Sequence, residues 1–193
     1  MDLTEGTLEQ KNDRAKKMML WFGIGSLIMS FAGLTSAVIV SSKRPDWLVD
    51  FELPEAFYMS TLIIILSSIT MILAKRALKS DNGKATTLFL WLTLGLGIAF
   101  IWSQFSGFSQ IIDLGYNFTG PTSNVTMSYI FLIAFVHGLH IVAGIISLVI
   151  VIINQYRQKY NSTKMLGFEL SATFWHFIDI LWLFLFVFLY FMK

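Results

Sequence analysis

Five long apolar runs govern what this chain can fold into. They are Met18–Val40, Ala56–Ala74, Ala85–Phe105, Ser128–Ile153 and Leu170–Met192. The first three carry no charge; the fourth holds His137 and His140, and the fifth His176 and Asp179. A helix rising about 1.5 Å per residue needs roughly 20 residues to cross a hydrocarbon core of about 30 Å, and every run is long enough. Barrel strands would alternate apolar and polar, whereas these runs are apolar on all faces. Backbone inside lipid must satisfy its own hydrogen bonds, so helices are the expected solution. Composition agrees: 55% of the 193 residues are hydrophobic and 13% are charged, about half the charge of an average soluble domain. The expected architecture is an all-α, polytopic membrane bundle of five transmembrane helices in residues 18–193, preceded by a polar arm, residues 1–17, at the cytoplasmic interface.

The connections are too short to hold a soluble domain. The arm does not read as a cleavable signal, because the run after it exceeds the 7–15 residues of a signal core. No internal repeat or low-complexity tract is present. Asn117, Asn124 and Asn161 each begin an Asn-x-Thr triplet, a pattern common by chance.

Loop charge sets the expected orientation. Of the 14 Lys and Arg, all but Lys43, Arg44 and Lys193 fall in the arm, the second connection or the fourth. In the first connection Asp46, Asp50, Glu52 and Glu55 outnumber the bases, and the third has Asp113 and no base. The bias places the N-terminus in the cytoplasm and the C-terminus on the periplasmic side.

Ionisable groups at membrane depth raise a functional hypothesis. His140 lies about 18 Å from the outer end of span four, and His176 about 9 Å from the inner end of span five. In a core of about 30 Å these levels roughly coincide. His137 and His140 share one face of span four. Glu169, His176 and Asp179 share one stripe of span five. Two facing stripes are expected to form a buried polar network. Three roles stay open on this evidence: a structural lock between helices, a proton relay, or imidazole ligation of metal or haem. Haem needs ligands on opposite faces of its ring, which a His pair on one helix does not supply, although one His from each helix would. No spacing demands a metal, and no metal ligand is assigned.

Small residues mark close approach. Ala32-x-x-x-Ser36 and Gly33-x-x-x-Ala37 do so on span one, and Ala134-x-x-x-Gly138 on span four, with Gly144 in the same packing set. Span five is dense in aromatics. Trp175, Phe177 and Trp182, with Gln104 near the end of span three, are candidates to line a lipid or oxygen path. Zero Cys excludes disulfides and thiol chemistry. With no nucleophile–base pair, phosphate loop or paired catalytic carboxylate, the chain has no catalytic residues of its own to assign. The net charge of +2 gives no reason to expect nucleic acid.

Two segments carry a resemblance. One is Phe135-Val136-His137-Gly138-Leu139-His140. The other is Gly167-Phe168-Glu169 followed by Trp175-His176-Phe177-Ile178-Asp179-Ile180-Leu181-Trp182-Leu183-Phe184. Together they resemble subunit III of the haem–copper cytochrome oxidases, in its five-helix bacterial form. Leu53-Pro54-Glu55, then Ser60-Thr61 and Ser67-Ser68, are similar to the family's entry into an earlier helix. The likeness runs from about Met18 to the end. Two departures stand out. Gly107 sits where the family often has an acid after Gln104, and Ala134-Phe135-Val136 replaces the usual Thr-Gly-Phe before the first His.

The resemblance implies an accessory, non-catalytic subunit of a proton-pumping cytochrome c or quinol oxidase. It binds no haem or copper itself. Those centres are expected in subunit I, its direct partner, with subunit II and other oxidase subunits nearby and a larger respiratory supercomplex as a further partner. It implies bound phospholipid, support of subunit I and of proton uptake, a route for oxygen, and a bacterial plasma membrane location. It implies a structural role for His137, His140, Glu169, His176 and Asp179. The electron donor and haem type are decided on other subunits. The alternatives are a proton-coupled transporter using the His/Asp cluster and a haem b anchor. Pro45, Pro54 and Pro121 all fall in connections, against the broken mid-membrane helices of many transporters.

Overall fold

The structure is a computed structural model that describes residues 7–48, 53–118, 120 and 123–192. Asp50, Glu52, Pro121 and Lys193, used above to read the connections, lie outside these residues. Five helices are present: α1 (Leu8–Ser41), α2 (Glu55–Lys79), α3 (Gly83–Asp113), α4 (Val125–Tyr156) and α5 (Leu166–Phe191). All five are long and apolar enough to cross a membrane. Among the described residues there is no strand, only an isolated bridge between Asn117 and Ser123.

Each helix outruns the apolar segment expected to form it. The difference is largest in α1, which starts at Leu8 rather than Met18. Most of the expected arm is therefore the first turns of α1. Thr7 accepts from the Gln10 N–H, and the Gln10 side chain accepts from the Thr7 N–H, forming a capping box. That box satisfies two donors that open a helix. Apolar runs report where lipid begins, whereas helix ends report where backbone hydrogen bonds are capped. Asn82 opens α3 by accepting from Ala85, and Asn124 opens α4 by accepting from Thr126. Asn161 accepts from the backbone of Thr163 and Lys164 in the last connection. Asn124 and Asn161, each the first residue of an Asn-x-Thr triplet, thus shape local backbone through their side chains.

Helices α2, α3, α4 and α5 close into a ring in which each packs on its two neighbours. Helix α1 lies outside that ring, against α4 and α5, and does not pack on α2 or α3. Its apolar stretch is 22% buried, against 39% for α2 and α5. The two ends of the bundle are each tied across elements. At one end the Ser162 N–H donates to Asp81, joining the α2–α3 and α4–α5 connections. At the other, the Leu48 N–H donates to Thr126, and the Ser41 and Tyr129 hydroxyls bond at 3.0 Å.

The ring's interior is filled by Phe57, Met71, Leu90, Phe100, Trp175 and Trp182, each no more than 1% exposed. The outward faces keep Phe22, Trp102 and Phe191 almost fully exposed. Such faces are stable only against lipid or another subunit.

Candidate functional site

The site is a set of polar links buried in the ring. It begins with hydroxyls on α2. Ser60-Thr61 and Ser67-Ser68 are seven residues apart, two helical turns or about 10.5 Å. Trp175 and Trp182 on α5 share that spacing. Because α2 and α5 run antiparallel, the two sets meet in register. Trp175 Nε1 donates to Ser67 Oγ at 2.9 Å, and Trp182 Nε1 donates to Thr61 Oγ1 at 3.1 Å. Beside the first of these, His176 Nδ1 and Ser68 Oγ are 2.6 Å apart. Further links hold the other seams. Gln104 Nε2 donates to Ser60 Oγ at 2.8 Å, and the Ser147 hydroxyl donates to Ser171 at 3.0 Å.

Trp175 crosses the centre of the ring. A Cβ placed on Gly97 of α3 would lie 2.7 Å from its Cη2. A Cβ on Gly144 of α4 would lie 3.2 Å from its Cε3 and 2.7 Å from Ile178 Cδ1. Its indole therefore fills a socket made by two glycines, while its N–H reaches α2. Trp182 repeats the pattern two turns away. Its ring meets Phe57, Phe100 and His137, with centroids 6.0, 5.1 and 5.1 Å apart.

The five residues expected to form one polar network occupy three separate places. Among the described residues no hydrogen bond joins any two of them. His137 is fully buried among Phe31, Phe100 and Trp182, and neither ring nitrogen has a partner. His140 bonds within its own helix, Nδ1 to the Val136 carbonyl at 2.7 Å, and meets the Phe31 edge. His176 and Asp179 both lie beside Ser68. The Asp179 carboxyl is 2% exposed and outside hydrogen-bond geometry with that hydroxyl. Glu169 is at the helix end, pairing with Lys75 at 3.5 Å and Lys17 at 3.7 Å. The division has a physical cause. The seven residues from Glu169 to His176 span about 10.5 Å along the axis, too far for direct contact. The interface bases capture the carboxylate instead, and the two indoles fill the space between the His stripes.

The packing glycines separate too. Gly144 is a close-approach position. Gly33 and Gly138 would each accept a Cβ with nothing within 4 Å. Gly97 had not been singled out and is as tightly packed as Gly144. Gly107, the departure from the family's acid, lies under Phe57, whose Cε1 would be 2.6 Å from an added Cβ. The Phe57 ring occupies the space a side chain at 107 would enter.

The four residues expected to line a lipid or oxygen path also divide. Trp175 and Trp182 are ring core, and Phe177 is half-buried. Gln104 alone of the four borders the apolar pocket of about 100 Å³ between α3 and α4, with Phe100, Phe108 and Gly138. It is 5% exposed and bound to Ser60. Aromatic density on a helix does not distinguish a lipid-facing side from an inward one. The matching hydroxyls on α2 were the signal that does.

Among the described residues no three His, Cys, Asp or Glu gather closely enough to hold a metal ion. The chemistry on view is positional: donors and acceptors that set the register of four helices.

Comparison with known proteins follows the same outline. Residues 16–193 match the family described as Cytochrome c oxidase subunit III. A protein named cytochrome c oxidase subunit 3, from Alkalihalophilus pseudofirmus, is 28% identical over 189 residues, covering 96% of this chain and 89% of its own length. Its namesake from Bacillus sp. strain PS3 is 27% identical over 190 residues, covering 96% and 88%. A protein named cytochrome bo(3) ubiquinol oxidase subunit 3, from Buchnera aphidicola, is 31% identical over 134 residues, covering 68% and 66%. The relatives' names thus include both cytochrome c and ubiquinol oxidases. The match starts within two residues of where the motif resemblance begins and takes in all five spans. This chain is therefore an integral membrane protein of the respiratory chain, and it belongs to the cytochrome c oxidase subunit III family.

Proposed function

We propose that the chain is an accessory subunit of a proton-pumping haem–copper terminal oxidase in a bacterial plasma membrane. It stabilises the subunit that reduces oxygen to water, holds phospholipid and supports proton uptake, and carries no redox centre. The observation that carries this reading is the use made of the two matched motifs. Their Trp and His side chains stitch α5 to α2 and fill the ring. His137 packs against aromatic rings on several sides, and His140 and His176 each have one nitrogen engaged. That arrangement suits a rigid scaffold. The donor, cytochrome c or quinol, is set by partner subunits.

The orientation belongs to the same proposal. Lys17 and Lys75 converge on Glu169 at one end of the bundle, the end where Asp81 meets Ser162. By the positive-inside rule that end faces the cytoplasm.

The test is to tag the chain and purify it from native membranes in mild detergent. Reduced-minus-oxidised spectra are then recorded before and after partner subunits are stripped. Oxidase haem bands before and a colourless chain after are the expected result. A coloured stripped chain would assign haem ligation to the histidines. No haem in either sample would return the reading to a transporter.

A further inference from the structure

Helices α1 and α2 each pack on α5 but not on each other. A cleft therefore runs between them, floored by α5. One end of it is a recess of about 200 Å³ where Lys17 and Trp21 of α1, Lys75 of α2, and Glu169 and Thr173 of α5 meet. From there the same stripe of α5 continues at spacings of three and four through His176, Ile180, Phe184, Val187 and Phe191. The last four are all at least half exposed, so among the described residues nothing covers this floor. From Glu169 to Phe191 the stripe is about 33 Å long, close to the thickness of a hydrocarbon core.

Two features of the cleft bear on what fills it. The first is His176, which lies about 10.5 Å along the axis from Glu169. Its Nδ1 is taken by Ser68. Its Nε2 makes no hydrogen bond among the described residues and, unlike both nitrogens of His137, is not sealed inside the subunit. An acyl chain has neither donor nor acceptor to offer, and a bare imidazole nitrogen in hydrocarbon is costly. A helix side chain with a hydroxyl or an amide serves either tautomer of the ring. The second feature is charge. Glu169 is shared by Lys17 at 3.7 Å and Lys75 at 3.5 Å, which leaves the recess one positive charge in excess. An anionic headgroup balances that charge as well as a carboxylate does, but its chains leave His176 bare.

We infer that the cleft between α1 and α2 seats a transmembrane helix of a neighbouring subunit, with a hydroxyl or amide side chain bonded to His176 Nε2 and an acid over Lys17 and Lys75. This deepens the partner side of the proposed function and rests on it.

The test uses the whole complex in native membranes. Ile180 or Phe184 is replaced by the photo-crosslinker p-benzoylphenylalanine, with Trp102, 78% exposed on α3, as the control position. After illumination, adducts are purified through a tag on this chain and identified by mass. Both cleft positions should capture the same protein, through a membrane-spanning segment that holds a hydroxyl or amide residue, and the control position should not. Combined with either crosslinker, His176→Asn should weaken capture by roughly threefold or more, the scale of one hydrogen bond in a membrane interior. Asn keeps an amide near the place of Nδ1 for Ser68 but does not reach as far as Nε2. A role confined to the Ser68 link therefore predicts little change. Lipid adducts alone, capture of a second copy of this chain, or equal capture from Trp102 would each overturn the inference. Undiminished capture by His176→Asn would do the same. Haem bands are read in the same preparation, so a captured helix without haem counts against the oxidase reading, and haem without a captured helix counts against the cleft.

Discussion

Trp175 Nε1 donates to Ser67 Oγ at 2.9 Å across the seam between α2 and α5, from the centre of a ring of four helices. Both residues are fully buried, so neither partner has water to fall back on. Ser67→Ala should therefore destabilise the subunit by about 0.6–2 kcal/mol, the range for a polar contact inside a membrane protein. Thermal dissociation of the purified complex reads this directly. An unchanged midpoint would show that the bond contributes nothing to packing.

The socket around that indole makes a second prediction. Gly97→Ala and Gly144→Ala each push a methyl to within 2.7 Å of a buried side chain. Overpacking of this kind costs about 1–3 kcal/mol. Gly138→Ala and Gly33→Ala meet nothing within 4 Å and should be close to neutral. If all four variants lose the same yield of assembled complex, the sockets are not what distinguishes these glycines.

The histidines should behave unequally. His176→Leu removes the 2.6 Å contact with Ser68 and should loosen the complex and release lipid, with the haem spectrum of the remainder unaltered. His137→Leu removes two nitrogens that have no partner, and replacing an unsatisfied buried polar group by an apolar one is near neutral or stabilising. A lost or shifted haem band in either assembled variant would contradict the scaffold role.

At the bundle's end, Glu169 holds α1 and α2 together through Lys17 and Lys75, two elements that otherwise do not pack on each other. These groups are about one-third exposed or more, so Glu169→Gln should cost under about 1 kcal/mol. The loss should shrink as salt screens the pairs. Melting the complex at low and high ionic strength checks both statements. A cost that is large and indifferent to salt would mean Glu169 acts through some other contact.

Much of this was open to reading from residue order alone. The five spans, their all-helical form and the family resemblance rest on apolar length and two motifs, which are local properties. Even so, the helix ends were misplaced. The capping box at Thr7 and the Asn caps of α3 and α4 extend helices into polar sequence, where hydropathy has no say. The site was partly legible. His176 was named, yet its partner Ser68 entered only as part of a similar-looking stretch. Trp175 and Trp182 were grouped with lipid-facing aromatics, because a helix with aromatics on every side gives no periodicity to show which side turns inward.

The amino-acid order by itself determined that this chain enters a membrane, with five helices and polar groups concentrated on the last two. Water exclusion by long apolar runs and the need to satisfy backbone hydrogen bonds within lipid leave no other arrangement. Tertiary structure decided which polar groups meet. Antiparallel packing brought two hydroxyl pairs on α2 opposite two indoles on α5, gave Trp175 its glycine socket, and left His137 among aromatics and Glu169 among lysines. Those pairings depend on axial register and rotation between helices far apart in sequence, and no single segment encodes either quantity.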